Sequence, residues 1–221
     1  MEMPRLLELF SGTGSVGRVA RRLGWEVTAL DVDGRFSPEL HMSIMDWDYR
    51  ALPRDSWDFV WASPPCQLYS IARNTGSPAD LDAADLLVAR TREIVEWFGC
   101  PYAIENPATS RLWRRQVSAG IPYGALTSYC CFGYPYQKNT RIAASFSLNL
   151  PRCPGAGMCP AMIGNRHTEH AQRGCGGAIP RSKTVDDLHR IPEDLVETIL
   201  RQLNAEAGTT RAPAVEDSNP G

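Results

Sequence analysis

The chain has 221 residues, of which 43% are hydrophobic and 22% charged, and its formal net charge is −2. This composition is typical of a globular protein with its own core, and it excludes a molecule that is strongly basic over its whole surface. No apolar run is long enough to cross a membrane, and the N-terminus lacks the basic-then-apolar pattern of a signal peptide. With seven Cys and no such signal, we expect reduced thiols in a cytoplasmic protein without membrane partners.

The first half of the chain alternates between short apolar runs and helical patterns. A Gly-rich turn and an amphipathic helix follow the first apolar run, and residues 79–98 predict a long amphipathic helix. Strands that alternate with helices favour an α/β fold, in which a parallel sheet carries helices on both faces. The predicted strands are 6–10, 26–30, 41–45, 59–62 and 102–104.

The pattern changes after about residue 125. Residues 128–133 and 141–146 predict an antiparallel pair at the edge of the sheet, and residues 185–203 predict a last helix. Residues 151–183 have almost no apolar periodicity. We therefore divide the chain into a main α/β domain (1–150), a Cys/His-rich basic insertion (151–183), a C-terminal helix that packs on the main domain (184–204) and a disordered tail (205–221).

Three predicted strand ends carry residues suited to a nucleoside. Gly12, Gly14 and Gly17 form a G-x-G-x-x-G pattern directly after a strand and at the start of a helix, where backbone can approach a ligand closely. A structural tight turn is the alternative. Asp31 ends the second strand, where a carboxylate can accept hydrogen bonds from ribose hydroxyls. Asp46 ends the third, at a position suited to the exocyclic amine of an adenine.

Two further strand ends carry candidate catalytic groups. Pro64 and Pro65 make a stiff, non-helical end to the fourth strand and hold Cys66 in one direction. A thiol presented rigidly at the carboxyl end of a parallel sheet is a candidate nucleophile, and a structural buried Cys is the alternative. Glu105 ends the fifth strand, and a carboxyl beside Cys66 could hold a proton on a ring nitrogen of a substrate.

Four segments together resemble the cytosine-C5 DNA methyltransferase family, and most closely its short, phage-like members. They are residues 6–17, the Ser-Pro-Pro-Cys-Gln run at 63–67, Glu105 with Asn106, and the Gln-Lys-Asn-Thr-Arg run at 137–141. The resemblance covers residues 5 to about 146. It implies a Rossmann-like domain that depends on S-adenosylmethionine and acts on DNA.

The resemblance also implies roles for individual residues. Cys66 would attack C6 of a flipped cytosine, Glu105 would hydrogen-bond N3 and the exocyclic amine, and Arg141 would contact the target base. The residues implied at the cofactor are Phe10, Gly12, Thr13, Gly14, Asp31, Val32, Asp46, Trp47 and Pro64. Those implied at the substrate are Pro65, Gln67, Asn106, Pro107 and Lys138.

The chain departs from the family pattern in two places. The large variable region that reads the DNA sequence in these enzymes is replaced by residues 151–183, and the C-terminal Gly-Asn-Ser-type element that completes the cofactor pocket is not recognisable. A separate specificity partner is one way to compensate, and we otherwise expect a monomer. An RNA cytosine-C5 methyltransferase and a catalytically weak, methyltransferase-like DNA-binding protein are the alternatives.

The Cys/His-rich insertion has the composition of a closed structural zinc site. Soft thiolate and imidazole ligands in a segment without periodic apolar residues are typical of such modules. The leading ligand set is Cys131, Cys153, Cys159 and His167, with Cys175 or Cys130 as replacements for a member. Unconnected thiols on a loop are the alternative. Basic residues in the insertion and after Glu105 predict a local phosphate-binding surface: Arg111, Arg114, Arg115, Arg152, Arg166, Arg173, Arg181 and Lys183.

Overall fold

The computed structural model describes residues 2–70, 78–169 and 184–210. Within these ranges the chain forms a seven-stranded sheet in the order β3-β2-β1-β4-β5-β7-β6. Neighbouring strands from β3 to β5 are parallel, whereas β7 is antiparallel to both β5 and β6. The strands are β1 (Arg5–Leu9), β2 (Glu26–Asp31), β3 (Leu40–His41), β4 (Phe59–Ala62), β5 (Tyr102–Pro107), β6 (Ala125–Ser128) and β7 (Asn139–Ala144).

The predicted α/β sheet with helices on both faces is confirmed. Alternate residues of each strand point to opposite faces, so Leu6 and Leu7 belong to different apolar clusters. One cluster packs against α1 and α4, and the other packs against α2. The helices are α1 (Ser15–Arg22), α2 (Pro78–Phe98), α3 (Val185–His189) and α4 (Glu193–Thr210).

The antiparallel edge exists, but one of its strands lies earlier in the chain than the sequence predicts. Residues 129–133 of the predicted strand 128–133 are not a strand, because Tyr129–Phe132 form a 3₁₀ turn that ends at Gly133 with φ +80°. The strand that pairs with β7 is β6, at Ala125–Ser128. The strand predicted at 41–45 is shorter and lies earlier: β3 has only two residues, and His41 alone falls in the predicted range.

The single C-terminal helix predicted for 185–203 is divided into α3 and α4. The division falls at Pro192, which has no backbone N–H to continue a helical ladder. Helix α4 packs on α1. It also extends to Thr210, so disorder from residue 205 was wrong for residues 205–210, whereas the rest of the predicted tail lies outside the described residues.

The described part of the insertion, residues 151–169, adds a two-stranded hairpin. Its strands are β8 (Met162–Ile163) and β9 (Arg166–His167). Backbone N–H of Glu169 donates to the Pro135 carbonyl at 3.1 Å and ties the end of this segment to the turn before β7. Among the described helices, none is both long and apolar enough to span a membrane.

Candidate active site

A cavity of about 330 Å³ opens at the carboxyl ends of the parallel strands. Strand β1 lies between β2 and β4, so the strand order reverses there. Such a switch point leaves a crevice beyond the strand ends, which is where open α/β sheets bind ligands. Residues at the ends of β1, β2, β4 and β5 line this cavity together.

The loop after β1 lines the cavity with Phe10, Gly12 and Thr13. Phe10 has φ +58°, an uncommon conformation for a residue with a side chain. Gly12 has φ +47°, and no heavy atom lies within 4 Å of the place a Cβ would take. The backbone here faces open space that a side chain would fill, so the loop can approach a ligand closely. Gly14 does not line the cavity; it caps α1 at φ +66°.

Asp31 and Val32 line the cavity at the end of β2, as the resemblance implies. The Asp31 carboxylate accepts backbone hydrogen bonds from Gly12 at 2.7 Å and Asp33 at 2.8 Å, which fixes its position beside the Gly-rich loop. Each oxygen keeps acceptor capacity for a hydroxyl group. The Val32 side chain is 70% exposed, so an apolar surface stands free next to that carboxylate.

Asp46 and Trp47 do not line the cavity, contrary to the role implied for them at the cofactor. Trp47 is buried in the core, with its ring 6.1 Å from that of Tyr49 and 6.2 Å from that of Phe98. Asp46 is exposed. The physical reason is that β3 ends at His41, so the chain has left the sheet edge before it reaches these residues.

Cys66 lines the cavity beside Pro64, Pro65 and Gln67. The Asn106 side chain is fully buried, lies outside the cavity wall, and donates from Nδ2 to the Pro64 carbonyl at 2.9 Å. It therefore holds the two-proline segment against β5. Burial raises the pKa of the Cys66 thiol, the Glu105 carboxylate raises it further, and Lys138 lowers it.

Glu105 lies across the cavity from this loop and is 7% exposed. The Thr140 hydroxyl on β7 donates to its Oε1. Pro107, two residues later on β5, lines the cavity as well. A buried carboxyl fixed by a neighbouring strand can face a bound base with a defined orientation, since its conformational freedom is already lost.

Lys138, which directly precedes β7, brings a positive charge to the cavity, whereas Arg141 on β7 does not line it. Thr140 faces Glu105, so the next residue of the strand points to the opposite face. The Arg141 guanidinium lies 4.2 Å from the Trp113 ring centroid and 4.4 Å from that of Tyr123, and its Nε donates to the Tyr123 carbonyl at 2.9 Å. Among the described residues that line the cavity, Arg141 is absent, so the structure does not bring it to Cys66 and Glu105.

The C-terminal segment closes the cavity, which sequence reasoning missed. Asp186, His189 and Ile191 all line it. The Ile191 N–H donates to the Ser15 hydroxyl at the start of α1 at 3.3 Å, and the Lys138 ammonium donates to the Leu188 carbonyl at 3.0 Å. The run of apolar residues in α4 predicts packing on the sheet, but no sequence signal shows where the preceding turn ends.

Glu8 is a second residue that sequence reasoning missed. It is 2% exposed and lines the cavity below the Gly-rich loop. Its carboxylate accepts from the N–H of Gly17 at 2.8 Å and of Val16 at 3.3 Å, in the first turn of α1. A Cβ on Gly17 would stand 2.7 Å from Glu8 Oε2, so this glycine permits the close approach. Burial raises the pKa of Glu8 to about 7, against the lowering effect of those hydrogen bonds.

Three members of the metal-ligand set predicted from sequence lie close together in the structure, and the fourth, Cys131, does not belong to their cluster. Cys153, Cys159 and His167 converge with Cys130, one of the two replacements considered, and not with Cys131. Cys131, the next residue of the 3₁₀ turn after β6, packs against the apolar cluster on the α4 face. Cys175 lies outside the described residues.

Part of the predicted phosphate-binding surface has another use. Arg115 forms an ion pair with Asp85, at 2.6 Å from Nε to Oδ2, and reaches Asp82 at 3.0 Å. Asp85 also accepts from the hydroxyl of the fully buried Tyr69 at 2.8 Å, in the turn that follows Cys66. Asp85 on α2 therefore joins Arg115 to Tyr69, and these contacts stabilise the loop that carries Cys66. Arg111, Arg152 and Arg166 are exposed, and Arg173, Arg181 and Lys183 lie outside the described residues.

Comparisons with known proteins agree with this geometry. No protein-family model matches the chain. A Frog virus 3 protein described as a probable DNA (cytosine-5)-methyltransferase is 30% identical, in an alignment 221 residues long that covers 89% of this chain and 98% of that protein. A solved methyltransferase of Entamoeba histolytica shares the fold, with a TM-score of 0.50 and 16% identity over 69% of this chain. For a Dnmt2 methyltransferase of S. pombe the TM-score is 0.45, with 18% identity over 66% of this chain. The chain spans only 57% and 52% of these two solved chains.

Proposed function

We propose, because this chain belongs to the DNA (cytosine-5)-methyltransferase family, that it transfers a methyl group from S-adenosylmethionine to C5 of a cytosine in DNA. One observation carries the proposal: Cys66 and Glu105 line the same cavity as Gly12 and Asp31. In the proposed reaction these residues would serve as nucleophile, acid and cofactor loop around one bound base.

The cofactor-binding part of the cavity fits S-adenosylmethionine. Open space over Gly12 would admit the cofactor against the backbone, Asp31 would accept from ribose hydroxyls, and Val32 would cover the adenine ring with apolar surface. When bound there, the cofactor supplies an electrophilic methyl group. Ile191 and Asp186 would exclude water from the same side.

Cys66 and Glu105 would act on the base. A cytosine must leave the duplex to enter a cavity of this kind. The Cys66 thiolate would form a bond to C6, while Glu105 holds a proton at N3 and accepts from the exocyclic amine, so that negative charge can build at C5. After C5 has been methylated, loss of its proton would break the bond between C6 and Cys66 sulfur and restore the aromatic ring.

Lys138 would favour the first step, in which the Cys66 thiolate forms a bond to C6 of the cytosine. Burial and the neighbouring Glu105 both disfavour the charged form of Cys66, and the ammonium of Lys138 opposes them. Because the thiolate is the reactive form, a cation at this position increases the reactive fraction. Lys138 would thus provide the positive charge that the family resemblance places on Arg141, and Arg141 would hold Trp113 and Tyr123 beside β7.

Radiolabelled methyl transfer from S-adenosylmethionine to double-stranded DNA, single-stranded DNA and RNA tests the proposal. The wild-type chain should label DNA. Cys66→Ala should reduce labelling to background while calorimetry shows unchanged cofactor binding, and Glu105→Gln should lower the rate by about 10²–10⁴-fold. Cys100→Ala is the matched control, because Cys100 precedes the amino end of β5 and does not line the cavity.

Each result has a distinct meaning. Wild-type rates in Cys66→Ala would refute the covalent mechanism. Labelling of RNA but not of DNA would show that the chain is an RNA cytosine-C5 methyltransferase. DNA binding without labelling of any substrate, in protein that still binds the cofactor, would favour the catalytically weak DNA-binding protein. Bisulfite sequencing of DNA from cells that express the chain would then report the sequence context of the methylated cytosines.

A further inference from the structure

A second group of chemically reactive side chains lies outside the cavity. Cys130 comes from the 3₁₀ turn after β6, Cys153 and Cys159 from the loop that follows β7, and His167 from β9. Their ligand atoms all lie within 4.8 Å of one another. None of the four lines the cavity that holds Cys66. We propose that they bind one zinc ion in a closed, structural site, which we call the Cys₃His site.

The distances fit a tetrahedral ion. With zinc–sulfur bonds of about 2.3 Å and zinc–nitrogen bonds of about 2.05 Å, a tetrahedral site separates sulfur from nitrogen by about 3.6 Å. His167 Nε2 lies 3.5 Å from the Cys153 sulfur and 3.6 Å from the Cys159 sulfur. A ring nitrogen has one hydrogen or one lone pair, which a single hydrogen bond uses. Two sulfurs at nearly the same distance from it are the arrangement expected around a shared ion.

The segment that carries three of the ligands has almost no core of its own. Within residues 151–169, Cys159 alone is buried, whereas Met158 is 71% and Ile163 is 79% exposed. Its two strands have two residues each. A segment this poor in buried apolar surface cannot offset the entropy lost on folding. Metal binding provides the missing free energy, because the ligands are brought together only in the folded state.

The chemistry of the ligands favours zinc over other metals. Three thiolates and one imidazole, with no carboxylate, form a set that selects soft or borderline ions in tetrahedral geometry. Cys130 and Cys159 are buried, so the site has little access to solvent. The Ser128 hydroxyl lies 3.3 Å from the Cys130 sulfur and can donate to a thiolate there, as partners of metal ligands commonly do.

The Cys₃His site would fix a basic loop beside the edge of the sheet. Arg152 and Cys153 line a cleft of about 250 Å³ together with Gln137 and Asn139, and these two flank Lys138 in sequence. A metal bound by both Cys153 and Cys130 would connect Arg152, the neighbour of Cys153, to the turn that follows β6. The metal would set the position of this exposed cation relative to the catalytic cavity.

Metal analysis of the full chain, purified without added zinc and without chelators, tests this proposal independently of methylation. We expect about one equivalent of zinc per chain. Cys130→Ser should lose most of it, and Cys131→Ser should retain it, which makes the neighbouring cysteine a matched control. Replacement of zinc by cobalt should give the thiolate charge-transfer and tetrahedral d–d absorption bands of a Cys₃His ligand set.

A variant with a conservative ligand keeps the test decisive if Cys130→Ser fails to fold. His167→Cys should still bind one metal ion, and its cobalt spectrum should gain thiolate charge-transfer intensity. Folded wild-type protein that contains no zinc and binds no cobalt would overturn the proposal. So would equal zinc in Cys130→Ser and wild type, or a disulfide between two of these cysteines, detected as the loss of two hydrogen masses in protein prepared under nitrogen.

Discussion

The parallel part of the sheet and residues 151–169 hold their functional side chains in different ways. In the parallel part, the strands that carry the cavity are enclosed by apolar side chains on both faces, and Leu7, Val60 and Ile104 are fully buried. Residues 151–169 have one buried residue, Cys159, and it is a member of the Cys₃His site. The same chain thus orders one region by the hydrophobic effect and, we propose, the other by ligand bonds.

This difference decides which residues tolerate change. A strand end surrounded by core can place Cys66 and Glu105 accurately because many independent contacts fix its backbone. A segment fixed by four ligands depends on each of them, and its remaining residues are free to vary in size and polarity. The loop that carries Arg152 therefore belongs to the second kind of structure.

The largest effect on stability should come from removing a core side chain in the parallel part. Leu7→Ala should lower the free energy of unfolding by about 2–5 kcal/mol, because it leaves a cavity in a fully buried position. Ile163→Ala, the control in the other region, should change it by less than about 0.5 kcal/mol, since that side chain is mostly exposed. Chemical denaturation monitored by tryptophan fluorescence measures the free energy of unfolding of both variants. Similar decreases in the two would contradict the difference between the two regions.

A smaller effect should come from Glu8, a polar exception within the apolar part. Its pKa of about 7 in the folded state exceeds its ordinary value of 4.5, so the folded state retains a proton that the unfolded state has released. Stability should therefore fall as pH rises from about 4.5 to about 7, by on the order of 3 kcal/mol. The difference between wild type and Glu8→Gln in denaturation curves across this range isolates that contribution.

The matched control for Glu8 is Glu26→Gln, on the neighbouring strand β2, where the side chain is exposed. Its stability should follow the wild-type pH dependence. A Glu8→Gln curve that runs parallel to wild type from pH 4.5 to 7 would show that the proton on Glu8 does not control stability there.

The smallest effect should come from Lys138, which the antiparallel edge contributes to the cavity. Because Lys138 lowers the pKa of Cys66, Lys138→Met should slow alkylation of Cys66 by iodoacetamide at neutral pH by a factor of a few and displace its pH profile upward. Mass spectrometry of the Cys66 peptide measures the rate. Cys100, whose pKa is raised by burial to about 12, is an internal control in the same digest. Faster alkylation in the variant would contradict the role of Lys138.

Much of the fold follows from residue patterns that are local in sequence. Apolar runs of strand length, separated by a Gly-rich turn and by amphipathic helices, predict the parallel α/β sheet. Patterns of this kind do not determine where a strand ends when its apolar residues continue into a turn. Residues 128–133 are such a case, because Tyr129, Cys130 and Phe132 are buried in a 3₁₀ turn and not in a strand.

The family and the meeting of Cys66 with Glu105 were also determined by the sequence, since parallel strands bring their carboxyl ends to one edge whatever lies between them. Only the tertiary structure decided which of two side chains close in sequence lies at each of these places. It selected Lys138 over Arg141 at the cavity and Cys130 over Cys131 in the Cys₃His site. It also brought Ile191 to Ser15 at the start of α1, 176 residues away in sequence. A shift of one residue reverses the direction of a side chain in a strand or turn, and that direction is set by pairing with distant residues that local sequence does not encode.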